Sequence, residues 1–488
     1  MFKNTKIKLF RLVLKISVML MVLLACIIFL YSMIYRDNTY VNIEENGQRI
    51  KQSIFYKYDG KIYALIPSGG YYLVEDADAD SFKVIKSENS YNSCVGIDKN
   101  YVYFGNKKIE NLNPKNLYSV GNDYYSDGEN NYFCSSNSER NKELSVIMET
   151  FQSIVYVFFK DKKPQSYIYP YKELTTKKPI KKLENLAFFA TNGDEIYYEG
   201  EILKNANVNT IKKVSEIGEY FCDEKNVYYK NEILPIKNSG ELEIVKILQG
   251  DYFLYDRKNG DVFNKTYRFD KKSMPYKVIG NNSSHAYNII FTAKDGIYFY
   301  NSKSNKQEKA GDNNFNGEIK HLTDNVFCDD DKIYYLKSFE KTIYGKHHMP
   351  ISFTRHTLVV CFDEKFGWEK VTDIESGIVG SVWVKNGKYY YFDNLGNSQL
   401  VNDTVYEIID KNILKELLSD SDEDGIDKIS VDRIREIIKQ KKIEPVSGET
   451  KYNIAVNFYG KWNGIFFMIY PLFIIFSIFF ARKNKGSL

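Results

Sequence analysis

The residues best placed to do chemistry lie near the end of the chain, in Asp420-Ser421-Asp422-Glu423-Asp424-Gly425-Ile426-Asp427. Asp420, Asp422 and Asp424 alternate, so their carboxylates can converge on one hard cation, and Gly425 allows a sharp turn at the sixth position. Asp427 adds a further acid. All-oxygen ligands of this kind suit calcium, the one cofactor the sequence suggests. A solvated acidic connection is the alternative reading.

The elements that must hold this loop are helical. Val405, Ile408, Ile409, Leu414, Leu417 and Leu418 suit one face of a helix before it. Ser430 is a plausible N-cap for a second helix, with Ile434, Ile437 and Ile438 on one face. The arrangement resembles an EF-hand or the related DxDxDG calcium loops. Val431, however, stands where a bidentate Glu is expected. That leaves a weak site of the extracellular type, with affinity around 10⁻⁴ to 10⁻³ M.

Other reactive residues form no recognisable motif. Cys94, Cys134, Cys222, Cys328 and Cys361 are far apart and contain no CxxC pair, which argues against zinc. Cys222 and Cys328 each stand just before an Asp, where a small buried side chain is expected. The five histidines are His285, His321, His347, His348 and His356. Adjacent histidines on a strand point to opposite faces, so His347-His348 is a poor metal pair. No GxSxG elbow, HExxH helix or phosphate loop occurs. No catalytic residue can be named, and the balance favours a protein that is not an enzyme.

Most of the chain is a repeat. Asp98 leads through Lys99, Asn100 and Tyr101 to Val102-Tyr103-Phe104. Asp223 leads likewise to Val227-Tyr228-Tyr229, Asp329 to Ile333-Tyr334-Tyr335, and Asp127 to Asn131-Tyr132-Phe133. Looser copies include Ile196-Tyr197-Tyr198 and Ile297-Tyr298-Phe299. Each copy reads as a turn, a short strand, a second turn such as Gly105-Asn106, and a returning strand. Asp80-Ser81-Phe82-Lys83-Val84-Ile85 is one of several similar stretches upstream of the copies. A lone hairpin cannot bury its apolar face, so the copies must stack or close. The expected fold is therefore mainly β: repeated hairpins, roughly five four-stranded blades, in a β-propeller-like domain or alternatively a solenoid.

Asp98-Lys99-Asn100-Tyr101 and Asp223-Glu224-Lys225-Asn226-Val227-Tyr228-Tyr229 resemble the DKNYY family of bacterial envelope proteins. The resemblance is close over residues 53 to 235 and loose to 400, with an insert at 341–380. It implies repeats and an envelope location, and it carries over no catalytic residue.

The ends of the chain read as membrane anchors. Ile16 to Tyr35 is uncharged and follows Lys3, Lys6, Lys8, Arg11 and Lys15. Trp462 to Ala481 is uncharged and precedes Arg482, Lys483 and Lys485. Both are long enough to span, and the basic flanks place both termini in the cytoplasm. Leu23-Leu24-Ala25-Cys26 resembles a lipobox, but the apolar Ile27-Ile28-Phe29-Leu30 after it favours a retained helix. The expected plan is a cytoplasmic tail (1–15), a transmembrane helix (16–35), a linker (36–52) and an extracytoplasmic β-repeat domain (53–403). The helix–acidic loop–helix (404–445), a linker (446–461), a second transmembrane helix (462–481) and a short tail (482–488) follow.

Composition narrows the function. The 67 basic and 63 acidic residues leave a net charge of +4, which gives no reason for nucleic acid as a partner. The 41 tyrosines are first of all strand formers, and an exposed aromatic platform for sugars or peptides is the alternative. The expectation is a membrane-anchored protein of the bacterial cell membrane, its bulk extracytoplasmic. It would bind or scaffold an envelope protein or glycan. The alternative is a hydrolase acting on an envelope polymer.

Overall fold

A computed structural model describes residues 38–86, 92–159, 163–246, 252–280, 285–345, 350–419 and 429–459, with five isolated positions between 17 and 27. Within these, the chain is mainly β. Seven sheets have four strands, two have five, and one is a two-stranded ribbon. The first sheet runs through Gln48–Arg49, Phe55–Tyr58, Lys61–Ile66 and Gly70–Leu73 in simple meander order. Most of the others repeat this plan.

Most repeat copies are thus four-stranded sheets rather than hairpins, and the copy at Asp329 lies in a five-stranded one. In the copy around Asp98, Val95–Ile97 and Val102–Phe104 are the two inner strands, with Ile97 opposite Val102. Lys83–Ile85 and Lys107–Ile109 pair on their outer sides. Gly105 takes φ 56° in the two-residue turn before Lys107, a conformation that suits glycine. The inner strands are apolar and buried, whereas the outer strands are lysine-bearing and partly exposed. Charged side chains on edge strands discourage further pairing, which is consistent with this sheet ending at its lysine-bearing strands.

The expected propeller-like or solenoid-like domain with two transmembrane helices is corrected by this architecture. The β character stands, but the strands form many small, separate antiparallel sheets, none closed into a barrel. They fall into two compact units. One comprises the described residues up to Lys212 together with Phe221–Ile233, and the other comprises Lys213–Tyr220 and the described residues from Leu234 on. Among the described residues, no helix is long and apolar enough to cross a membrane. The segments 462–481 and, apart from the isolated positions, 16–35 lie outside the described residues.

In the first unit, the main core gathers Phe55, Ile62, Val95, Val102, Tyr103, Phe104 and Tyr125. Helix α1 (Asn38–Asn46) buries Ile43 beside the first sheet. Thus 36–52, read as a linker, carries a helix and the strand Gln48–Arg49. Helix α2 (Val146–Phe159) is inserted, with the ribbon Glu139–Arg140/Tyr167–Ile168, into the last connection of the third sheet.

In the second unit, the 341–380 insert contributes to a long hairpin, Lys332–Tyr344 with Pro350–Glu364. Glu449–Tyr459 pairs along its outer strand, so 446–461 is not a linker over most of its length. Helices α3 (Lys411–Ser419) and α4 (Val431–Lys439) do form and bury Ile413, Leu417, Ile434 and Ile437 in one cluster, but Val405–Ile408, read as part of the first helix, is a strand paired with Lys388–Asp393. Ser430 caps α4 by accepting from the Arg433 N–H. Arg433 ties the two helices through two bonds to Glu416, at 2.6 and 2.8 Å.

Candidate functional site

The repeat's aspartates are the most fully engaged carboxylates. Asp98, Asp127, Asp223 and Asp329 are all buried, at 7 % exposure or less. Each opens the hairpin between the second and third strands of its sheet. Asp98 Oδ1 accepts from the backbone N–H groups of Asn100 and Tyr101, both at 2.7 Å. Its Oδ2 accepts from the Tyr103 hydroxyl at 2.9 Å and from the Asp78 N–H at 2.9 Å. One side chain therefore holds its own turn, the following strand and the loop that enters the sheet.

The other copies repeat this set. Asp223 Oδ1 holds Lys225 and Asn226, while Oδ2 holds Tyr228 and Asn207. Asp329 holds Asp331, Lys332, Tyr334 and Asn316 in the same way. The upstream signature now has a physical role. Asp78, Asn113 and Asn207 each donate a backbone N–H to the buried aspartate and each accept from the N–H two residues on. Asp127 keeps its three backbone donors but not the tyrosine, for Tyr132 donates to Glu173 at 2.7 Å.

Burial alone would raise these carboxyls. The backbone donors and, in three copies, the tyrosine outweigh it, and all four lie below the ordinary carboxylate range. Tyr103, Tyr228 and Tyr334 move the other way, raised by burial and by the adjacent carboxylate. The arrangement suits a fixed structural anion. The tyrosines are core residues too: Tyr103, Tyr124, Tyr125, Tyr197 and Tyr228 are fully buried.

Asp420, Asp422, Asp424 and Asp427, the expected calcium ligands, lie outside the described residues, as do His347 and His348. Among the described residues, no group of three or more His, Cys, Asp or Glu is placed to hold a metal. Cys222 and Cys328 are buried as expected, Cys94 and Cys134 are buried too, and Cys361 is partly exposed. Cys94 and Cys134 face each other with sulfurs 3.9 Å apart.

The described residues also form an opening that the sequence did not reveal. It is a groove of about 900 Å³ in the second unit. The strand Lys332–Tyr344 supplies Tyr335, Lys337 and Phe339, and Thr450 comes from the strand paired on the far side of the hairpin. Tyr287 and Asn402 come from loops, and Asn397 from the short 3-10 helix Asn397–Gln399. Asn397 is fixed by donating to Ser338 O at 3.0 Å and Ser338 Oγ at 2.6 Å. Phe339 is 40 % exposed and stacks on His356 with ring centroids 4.5 Å apart. Tyr335 donates to Val446 O, and burial, aided by the Asp403 charge, pushes its hydroxyl up to about 12. Lys337 is paired with Asp403, and Glu340 with Arg355. The groove thus combines aromatic rings, side-chain amides and hydroxyls with charges already in ion pairs. Nothing in its residue spacing announces it, because its lining comes from segments up to 163 residues apart, Tyr287 to Thr450.

No curated protein matches the chain. The model of the DKNYY family matches residues 55–232, the region holding the anchors Asp98, Asp127 and Asp223, and that part of the chain belongs to the DKNYY family.

Proposed function

We propose that this chain is a binding module of the bacterial cell envelope, and that the groove of the second unit takes an envelope glycan. The observation that carries the reading is the lining. Tyr287 and Phe339, each with one face covered (by Arg355 and His356), line it with aromatic rings beside the amides of Asn397 and Asn402 and the hydroxyl of Thr450. Sugars present C–H faces and neutral hydroxyls, which such a surface accommodates. The local ion pairs hold the charged side chains to one another, which favours a neutral polar ligand over a strongly charged one.

The envelope setting is supported by the family resemblance and by the two uncharged stretches near the ends of the sequence. Within the repeats, the aspartates that recur most regularly are committed to backbone and tyrosine donors, which supports a framework role for them.

Calorimetric titration of the full chain, in detergent, with soluble N-acetylglucosamine oligosaccharides tests the proposal. Saturable heat is expected, with affinity about tenfold weaker in Phe339→Ala, on the order of the 1.4 kcal/mol that an aromatic contact contributes. Absence of heat, or equal affinity in Phe339→Ala and Asn402→Ala, would rule out this groove as the glycan site.

A further inference from the structure

Helix α2 is built inside out. Ile147 is 84 % exposed, Phe159 77 %, Val146 66 %, Phe151 62 % and Met148 49 %. At 100° per residue, Ile147, Phe151 and Val155 form one stripe, with Met148 and Phe159 along its edge. The polar groups are used at home. Glu149 pairs with Arg140 and accepts from the Ser166 hydroxyl at 2.5 Å. Thr150 and Ser153 hydroxyls donate to the helix carbonyls of Val146 and Glu149, both at 2.8 Å. An ordinary surface helix turns its apolar stripe to the core. Here the carboxylate is held against the protein and the stripe faces out.

We propose that α2 is an interfacial helix that lies in the boundary between headgroups and acyl chains of an anionic phospholipid bilayer. Its outward face supports lipid as the occupant, because the side chains named are hydrocarbon, aromatic or thioether and offer no rim of hydrogen-bonding groups such as protein interfaces carry. In the sequence Lys142 precedes the helix, and Lys160, Lys162 and Lys163 follow it with Asp161 as the one acid among them, a net positive flank of the kind that meets anionic headgroups. Fourteen residues give a rod of about 21 Å, enough to lie along a surface and too short to cross. The inference belongs to the first unit and does not depend on the glycan groove.

The test places the full chain with vesicles of phosphatidylglycerol and phosphatidylcholine that contain a phospholipid with a photoreactive acyl chain. Lipid adducts are then mapped by peptide mass spectrometry. Adducts are expected on the peptide spanning Val146–Phe159. They should fall to about a tenth or less in the Ile147→Ser/Phe151→Ser variant, since withdrawing each large apolar side chain weakens partition by roughly tenfold or more. Both positions are on the surface, and an unchanged melting temperature checks that the variant folds. A helix without adducts overturns the proposal, whether or not other peptides are labelled. So does labelling that the double variant leaves unchanged, or a cross-link from this helix to another protein chain in place of lipid.

Discussion

The Tyr103 hydroxyl donates to Asp98 Oδ2 across 2.9 Å, and the two residues are five positions apart in the sequence. The same bond recurs from Tyr228 to Asp223 at 3.0 Å and from Tyr334 to Asp329 at 2.8 Å. In a β-hairpin that opens with the aspartate, the fifth residue is the second or third position of the returning strand. The spacing therefore follows from the turn, and the tyrosine closes a ring through strand, turn and carboxylate. This explains why the motif recurs without any catalytic partner.

Asp329→Asn should destabilise the second unit by about 1–3 kcal/mol, because an amide nitrogen placed at Oδ2 leaves the Asn316 N–H without its acceptor. Tyr334→Phe should cost about 1 kcal/mol, the net worth of one hydrogen bond. Urea unfolding followed by Trp368 and Trp383 fluorescence reports on this unit. Equal midpoints for wild type and Asp329→Asn would contradict the anchoring role.

One copy already carries the asparagine. Asn192 Oδ1 accepts from Asp194 and Glu195 N–H groups at 3.0 and 2.8 Å, as the aspartates do. Its Nδ2 donates to Glu195 Oε2, and Tyr197, five residues on, donates to that same carboxylate. Glu195 thus replaces the missing oxygen. Asp223→Asn/Asn226→Glu should then be less destabilised than Asp223→Asn alone. Hydrogen exchange at the Lys225 and Val227 amides measures this, with about tenfold slower exchange in the double variant for each 1.4 kcal/mol recovered.

The anchors also set an acid limit. Asp98, Asp127, Asp223 and Asp329 are lowered in the folded chain, where backbone donors overcome the opposing effect of burial. A carboxyl lowered on folding adds stability above its unfolded value, about 3.9, and that contribution is lost as pH falls through the folded value. Urea midpoints should hold steady with respect to these groups above about pH 5 and fall below about pH 4. Asp329→Asn should flatten part of that fall. An identical acid slope in the variant would show that this aspartate is not among the groups responsible.

The frame of Asp, aromatic and turn residues was legible because its hydrogen bonds are local, at spacings of two, three and five. The outer strands were not. Lys181–Lys182 and Glu201–Ile202 are two residues long and partly charged, so no alternation marks them, and each copy was undercounted as a hairpin. Asn192 makes the copy at Ile196-Tyr197-Tyr198 a looser one by changing the residue that defines the frame. The linker at 446–461 was misjudged because Glu449–Tyr459 pairs with Pro350–Glu364, a partner about a hundred residues away. Helix α2 did leave a signal: fourteen residues in which Glu149, Gln152 and Ser153 share one side of a 3.6-residue period. Periodicity alone says which residues share a face, and only the structure shows which way that face turns.

A last pair lay beyond any sequence pattern. His285 Nε2 and Asp393 Oδ2 meet at 2.8 Å, 108 positions apart, and both side chains are fully buried. Asp393 also accepts from the Tyr391 hydroxyl at 2.6 Å and the Gly396 N–H at 2.8 Å. The pair fastens the loop before strand Ile290–Ala293 to the end of strand Lys388–Asp393, both within the second unit. His285→Leu removes one partner and leaves Asp393 buried with fewer donors, a change that costs about 3–5 kcal/mol when the remaining group stays charged. Adding Asp393→Asn removes the charge while keeping an acceptor for Gly396, so the double variant should unfold at higher urea than His285→Leu alone. If the two substitutions instead add without coupling, the contact between these side chains contributes nothing of its own to stability.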